Sequence, residues 1–144
     1  MTINQAGLDI IRQSEGLRLK AYLCPAGVWT IGYGHTRDVV PGLTCTEDQA
    51  NAWLLEDVAE AEQVVADLVD VPLTENQFSA LVSFTFNLGR GNLSGSTLLR
   101  QLNDGDHDSV PEQLRRWVYS GGKRLGGLVR RRDAEAVLWQ KPNA

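Results

Sequence analysis

Residues 74–89, TENQFSALVSFTFNLG, leave the fewest options for the fold of this chain. Thr74, followed three residues later by Gln77, is a capping-box signature, and the segment behind it carries Phe78, Leu81, Val82, Thr85 and Phe86 on nearly every side. A helix that is apolar all round has to be enclosed by other elements. The pattern therefore predicts a central buried helix ending at Gly89, with the rest of the chain packed about it. At 144 residues the chain is long enough to enclose such a helix within one domain, residues 1–144, and its 42% hydrophobic and 22% charged content is that of an ordinary globular protein.

The neighbouring elements read in the same way. Apolar residues from Ile3 to Ile11 recur at helical spacing and predict a short helix to about Ser14, with Glu15 at its end. Thr46 and Gln49 open a long helix to about Val69, with Trp53, Leu54, Val58 and Val65 on one face. Further helices are expected at Ser96–Leu102, at Pro111–Tyr119 and from about Leu128 to Trp139, with Gly121-Gly122 as a break and Pro142 as a stop. Only Ala21–His35 has another texture: Tyr22, Val28, Trp29, Ile31 and Tyr33 alternate with Pro25, Gly27, Gly32 and Gly34, as in short strands joined by tight turns. The expected architecture is α+β, with a small antiparallel sheet lobe near residues 15–45, a larger helical lobe, and a cleft between them wide enough for a polymer.

Charge narrows the partners. The net charge of −4 lacks the basic footprint of a nucleic-acid binder, so no nucleic acid is expected. The distribution is uneven: residues 1–99 hold 5 Lys/Arg against 12 Asp/Glu, whereas residues 100–144 hold 9 against 6. That basic half suits either an anionic partner or plain solvation. No apolar run approaches the roughly 20 residues that span a bilayer. Met1–Ser14 carries no basic region followed by an apolar block, so neither membrane insertion nor an export signal is expected. Two cysteines, Cys24 and Cys45, fit synthesis in a reducing cytosol. With no metal-ligand cluster and no glycine-rich phosphate loop, neither metal nor cofactor is expected.

The residues that carry chemistry lie around the strand-rich stretch. Glu15 stands in SEGLRLKAY; Cys24 follows nine residues on and Thr30 six beyond that, within AYLCPAGVWTIGYGHT. Taken singly, each is ordinary: a glutamate at a helix end, a small buried thiol, a β-forming threonine. Together, the Glu/Cys/Thr spacing and the TIGYGH strand resemble the phage-type lysozyme (muramidase) family, glycoside hydrolase family 24. The resemblance continues through ALVSFTFNLG at 80–89, STLLRQLN at 96–103, RRWVYSGGK at 115–123 and GLVRRRDAE at 127–135.

That resemblance implies a lysozyme-like fold and hydrolysis of the β-1,4 bond between N-acetylmuramic acid and N-acetylglucosamine in peptidoglycan. It implies catalytic roles for Glu15, Cys24 and Thr30, and sugar contacts for Phe86 and Thr97. Glu15 would protonate the leaving oxygen, which a carboxyl group partly withdrawn from water can do near neutral pH. Most of the family has aspartate where this chain has Cys24. A thiol near its usual pKa of about 8.5 is mostly neutral at pH 7, so cationic neighbours are expected to activate it, with Arg18, Lys20 and the run Arg130-Arg131-Arg132 available. The resemblance makes Arg130 a candidate ion-pair partner for Glu15, and the rest of that run is expected on the surface, touching the anionic wall or merely solvated. His35 reads as a fixed hydrogen-bond partner at the base of the sheet lobe, and Trp29, Trp53, Trp117 and Trp139 as either core or sugar platforms. Oxidation joining Cys24 to Cys45, or capping Cys24, would silence the enzyme.

By the same resemblance, the protein is expected to act as a monomer on glycan strands. It would wait in the host cytoplasm until a phage protein perforates the membrane. Two rivals stand beside this reading: a wall-binding module that has lost its chemistry with the usual aspartate, and a cysteine peptidase or amidase using Cys24 with His35.

Overall fold

The computed structural model describes residues 1–142, and the chain divides into two compact units, Ile11–Ala59 and Met1–Ile10 together with the chain from Glu60 onward. The architecture is α+β, as expected.

In the smaller unit, helix α1 (Gln5–Glu15) ends because Gly16 takes the left-handed conformation, φ 72°, and its N–H turns back to the Arg12 carbonyl at 2.9 Å. Strands β1 (Arg18–Leu23) and β2 (Trp29–Gly32) then pair antiparallel, with Arg18 opposite Gly32, Tyr22 opposite Thr30 and Leu23 opposite Trp29, and an irregularity between the first two pairs. Residues 43–45 run along the other edge of β1, where Ala21 N–H donates to Leu43 and Cys45 N–H to Leu19. Helix α2 (Glu47–Leu68) starts where expected, the Gln49 N–H being held by the Thr46 hydroxyl at 3.1 Å. Ile11, Ile31, Tyr33, Ala50, Leu54 and Val58 are the apolar interior of this unit.

The larger unit is built on α3 (Glu75–Ser94). Its capping box is complete: the Gln77 N–H reaches the Thr74 hydroxyl at 3.1 Å, and the Thr74 N–H reaches the Gln77 side-chain oxygen at 3.0 Å. Every residue from Phe78 to Thr85 is buried, which only an element enclosed on all sides permits. The expected stop at Gly89 is a kink instead. Gly89 adopts φ 86°, ψ 169°, a conformation only glycine takes readily, and the helix resumes to Ser94.

Helix α4 (Thr97–Asn103) is capped by Ser96, whose hydroxyl accepts from Leu99 N–H at 3.0 Å; a 3-10 turn (His107–Ser109) and α5 (Val110–Arg115) follow. α5 ends short of the expected Tyr119. Tyr119–Ser120 and Lys123–Arg124 form a small hairpin, β3 and β4, around the two glycines read as a simple break. Helix α6 (Gly126–Gln140) packs on α3 and α5.

The arginine run corrects a second expectation. Arg131 and Arg132 are buried, at 4% and 0% exposure. Arg132 Nε lies 3.0 Å from Glu135 Oε1, and its Nη2 donates to Asn87 at 2.6 Å while the guanidinium stands over the Phe84 ring. Arg131 Nε lies 3.4 Å from Glu135 Oε2, and its Nη2 donates to the Ser83 carbonyl at 3.1 Å. The Ser83 hydroxyl donates to the same Glu135 carboxylate at 2.6 Å. One carboxylate thus serves two cations inside the helical unit, where an unpaired charge would be costly.

Candidate active site

The turn between β1 and β2 is set by its own sequence. Gly27 N–H donates to the Cys24 carbonyl at 2.8 Å and Cys24 N–H to the Val28 carbonyl at 3.0 Å, with Gly27 left-handed at φ 80°. Pro25 suits the first central position of this three-residue loop and Gly27 the left-handed one, so CPAG encodes its own geometry. The consequence is chemical. The Val28 backbone N–H lowers the Cys24 thiol below its ordinary pKa; desolvation opposes it, and the Ala26 and Gly27 N–H groups and the Thr30 hydroxyl add to the lowering. The activating groups are therefore amides, and not the arginines expected from the sequence. Arg18 instead stands over the Tyr22 ring at 4.9 Å, while Arg131 and Arg132 are tied to Glu135.

Thr30 sits two residues past Val28, buried, and its hydroxyl is 2.9 Å from the Val28 carbonyl. By strand register Thr30, Val28, Tyr22 and Cys24 fall on one face of the hairpin. A hydroxyl has one proton, so Thr30 either donates to Val28 or turns it towards the thiolate or a water.

Glu15 approaches the same hairpin at its other end. Gly34 has φ 79°, and a Cβ there would lie 3.1 Å from Glu15 Oε2. The glycine is needed for its backbone angle and because the carboxylate occupies the side where a methyl would stand. Gly32 is similarly constrained, with φ 66° and the Ala50 Cβ 3.2 Å from the position its own Cβ would take. His35 closes the turn by exchanging two 2.9 Å backbone hydrogen bonds with Ile31. Its Nδ1 is 2.8 Å from Asp57 Oδ2 and its ring stacks on Trp53, centroids 4.6 Å apart and planes at 4°. These contacts give GYGH a structural meaning: Ala50, Trp53 and Asp57, on one face of α2, hold the turn that meets Glu15.

Sequence reasoning overlooked Asp57, Asn51 and Arg12. Arg12 Nε donates to Asn51 at 3.0 Å one turn before Glu15, and its guanidinium stands over Tyr33. The signal for Asp57 was available, since it follows Ala50, Trp53 and Leu54 at helical spacing on the buried stripe.

Phe86, half-buried on α3, and Thr97, exposed at the start of α4, both belong to the larger unit. Three of the four tryptophans are occupied: Trp139 donates to the His107 carbonyl at 3.0 Å, Trp117 meets Phe84 edge-on, and Trp53 carries His35. Cys45 pairs with Leu19, five residues along the chain from Cys24, a separation of about 17 Å at the rise of a strand, and both thiols are free. A disulfide needs Cα atoms within about 7 Å, so this fold keeps the two thiols apart. Among the described residues no group of three or more His, Cys, Asp and Glu is gathered closely enough to hold a metal ion.

A carboxyl group at the end of α1 against one end of a glycine-rich hairpin, with a thiol of lowered pKa at the other, is an arrangement that comparison with known proteins interprets. The model of the family described as phage lysozyme matches residues 12–135. The chain belongs to the phage lysozyme family. It is 44% identical over 144 residues to the endolysin of Acyrthosiphon pisum secondary endosymbiont phage 1, covering 97% of this chain and 99% of that one. Among solved structures, it resembles the muramidase domain of SpmX from Asticaccaulis excentricus with a TM-score of 0.92 and 39% identity, over 98% of this chain and 99% of that one. A P22 lysozyme mutant gives 0.88 and 36%, over 98% and 99%. As a member of this family the chain is a glycoside hydrolase, an endolysin that hydrolyses peptidoglycan.

Proposed function

We propose that Glu15 protonates the glycosidic oxygen between N-acetylmuramic acid and N-acetylglucosamine, while Cys24 and Thr30 direct a water onto the opposite face of the sugar, inverting the anomeric carbon. The observation that carries this reading is the placement of Glu15 against Gly34 at one end of a hairpin whose tip holds a thiol of lowered pKa. A carboxyl group can supply the proton without which an alkoxide leaves poorly, and a thiolate can take one from water. Thr30, hydrogen-bonded to Val28, offers its lone pairs to that water.

The peptidase alternative loses support on geometry. His35 pairs with Ile31 and Cys24 with Val28, about 10 Å apart along the strand, so although Asp57 on Nδ1 could orient the ring, the imidazole is not set beside the thiol. Phe86 and Thr97 are proposed sugar contacts, and the two units are proposed to act together as one catalytic domain. In the lytic cycle the enzyme would accumulate in the host cytoplasm, reach the wall once a phage protein perforates the membrane, and work as a monomer. Among the described residues no helix is long and apolar enough to cross a membrane.

The test is release of reducing sugar from purified peptidoglycan. Glu15→Gln is expected to abolish it, with a loss of two or more orders of magnitude, roughly the 10²–10⁴ that general acid catalysis supplies. Cys24→Ser is expected to lose most of the activity and Cys24→Asp to keep it. Full activity in Glu15→Gln, or a retained β-product by NMR, would overturn the assignment.

A further inference from the structure

The hairpin β3–β4 and the first turn of α6 carry a cationic surface that the proposed chemistry does not use. From Arg115 to Arg132 the chain has seven Lys/Arg and no Asp/Glu, although its net charge is −4. Four of the seven have acidic partners: Arg115 meets Asp133 at 3.1 Å and Arg116 meets Glu112 at 3.0 Å on the surface, and Arg131 and Arg132 meet Glu135 in the interior. The other three, Lys123, Arg124 and Arg130, are exposed and have no acidic partner among the described residues.

These three lie close along the chain, on β4 and the start of α6. Tyr119 pairs with Arg124 and Ser120 with Lys123 across the hairpin, and Leu125 N–H closes on the Val118 carbonyl at 3.0 Å. Arg130 folds back along α6, so that its Nη1 would stand 3.3 Å from a Cβ on Gly126. Tyr119, 63% exposed, offers its ring beside Arg124. Like charges held together repel one another and raise the local potential for an anion.

Resting on the peptidoglycan-hydrolase reading, we propose that Tyr119, Lys123, Arg124 and Arg130 dock the free carboxylates of the peptides attached to the glycan. The chemistry selects this partner. N-acetylated sugars are neutral, and the lactyl carboxyl of muramic acid is consumed in its amide link to the peptide, so the acidic groups of the polymer lie on the peptides. Two of the three unpaired cations are arginines, whose planar fork matches a carboxylate. The hairpin tip, Ser120-Gly121-Gly122-Lys123, has no apolar side chain to insert into a lipid surface.

Cosedimentation with purified wall sacculi tests this, using Glu15→Gln protein so that the wall is not digested. Joint replacement Lys123→Gln, Arg124→Gln and Arg130→Gln is expected to weaken binding on the order of tenfold, the sum of three exposed ion pairs, with a shallower dependence on salt. Converting the peptide carboxylates of the sacculi to amides with a carbodiimide and excess ammonia, which leaves the neutral glycan unchanged, is expected to weaken the parent protein to the same level and to leave the triple variant unchanged. In the Glu15 background, the triple variant should still cleave a soluble peptide-free glycan at the parent rate and melt at the parent temperature. Equal binding of the two proteins to intact sacculi would overturn the proposal, as would undiminished parent binding to the amidated sacculi. Binding that depends on the three cations only with phosphatidylglycerol vesicles would overturn it too. Because reducing-sugar release by Glu15→Gln is read separately, failure of the docking surface is distinguishable from failure of the catalytic reading.

Discussion

Cys24 shows how far one residue's chemistry depends on the backbone around it. Its thiol faces the amides of its own turn, whereas Cys45, on the edge of the same sheet, has its pKa raised by burial. The thiolate is the nucleophile, so iodoacetamide should modify Cys24 at a lower pH than Cys45, and mass spectrometry of partly labelled protein should find the label at Cys24 first. The direction for activity follows. If the thiolate is the working form, activity falls as pH drops through the lowered Cys24 value, and Cys24→Asp, with a carboxyl near pKa ~3.9, extends activity into more acid solution. A wall-digestion pH profile unchanged by that substitution would remove Cys24 from the proton inventory.

At the scale of elements, the β1–β2 hairpin was legible because its turn residues act locally. Pro25 and Gly27 need no distant partner to shape the tip, and Gly32 and Gly34 announce positive φ by their identity. What α2 does for the hairpin was not legible. Helical spacing puts Asp57 on the buried stripe of α2, but only the fold places His35 beside it. Asp57→Ala should leave the His35 ring without its partner and cost about 1–3 kcal/mol, measured by urea denaturation, with Asp57→Asn costing less because its amide oxygen still accepts the Nδ1 proton. The kink at Gly89 has the same origin. A glycine after a buried helix signals a stop, yet the chain beyond it, with Leu93 buried, regains enough packing for the helix to continue.

Across the whole molecule the outcome turns on which charges the fold encloses. Arg131, Arg132, Glu135 and Trp139 share the inner face of α6 with Leu128 and Ala136, so the polar residues interrupt the apolar stripe by which a buried face is recognised. Glu135→Gln should destabilise the protein by about 3–5 kcal/mol, because it leaves two buried guanidiniums without their carboxylate. Chemical denaturation reads this directly. Replacing Glu135 and both arginines together by apolar residues of similar volume should cost less than the single substitution.

Caps, turn residues and apolar spacing act between near neighbours, so the amino-acid sequence alone determined the order of helices and strands, the shape of the Cys24 turn and the resemblance that names the family. Helical spacing says which side chains share a face but not what that face meets. Only the tertiary structure therefore decided that Asp57 holds His35, that amides and not arginines act on Cys24, that Cys24 and Cys45 stay apart, and that two arginines of a charged run lie in the interior.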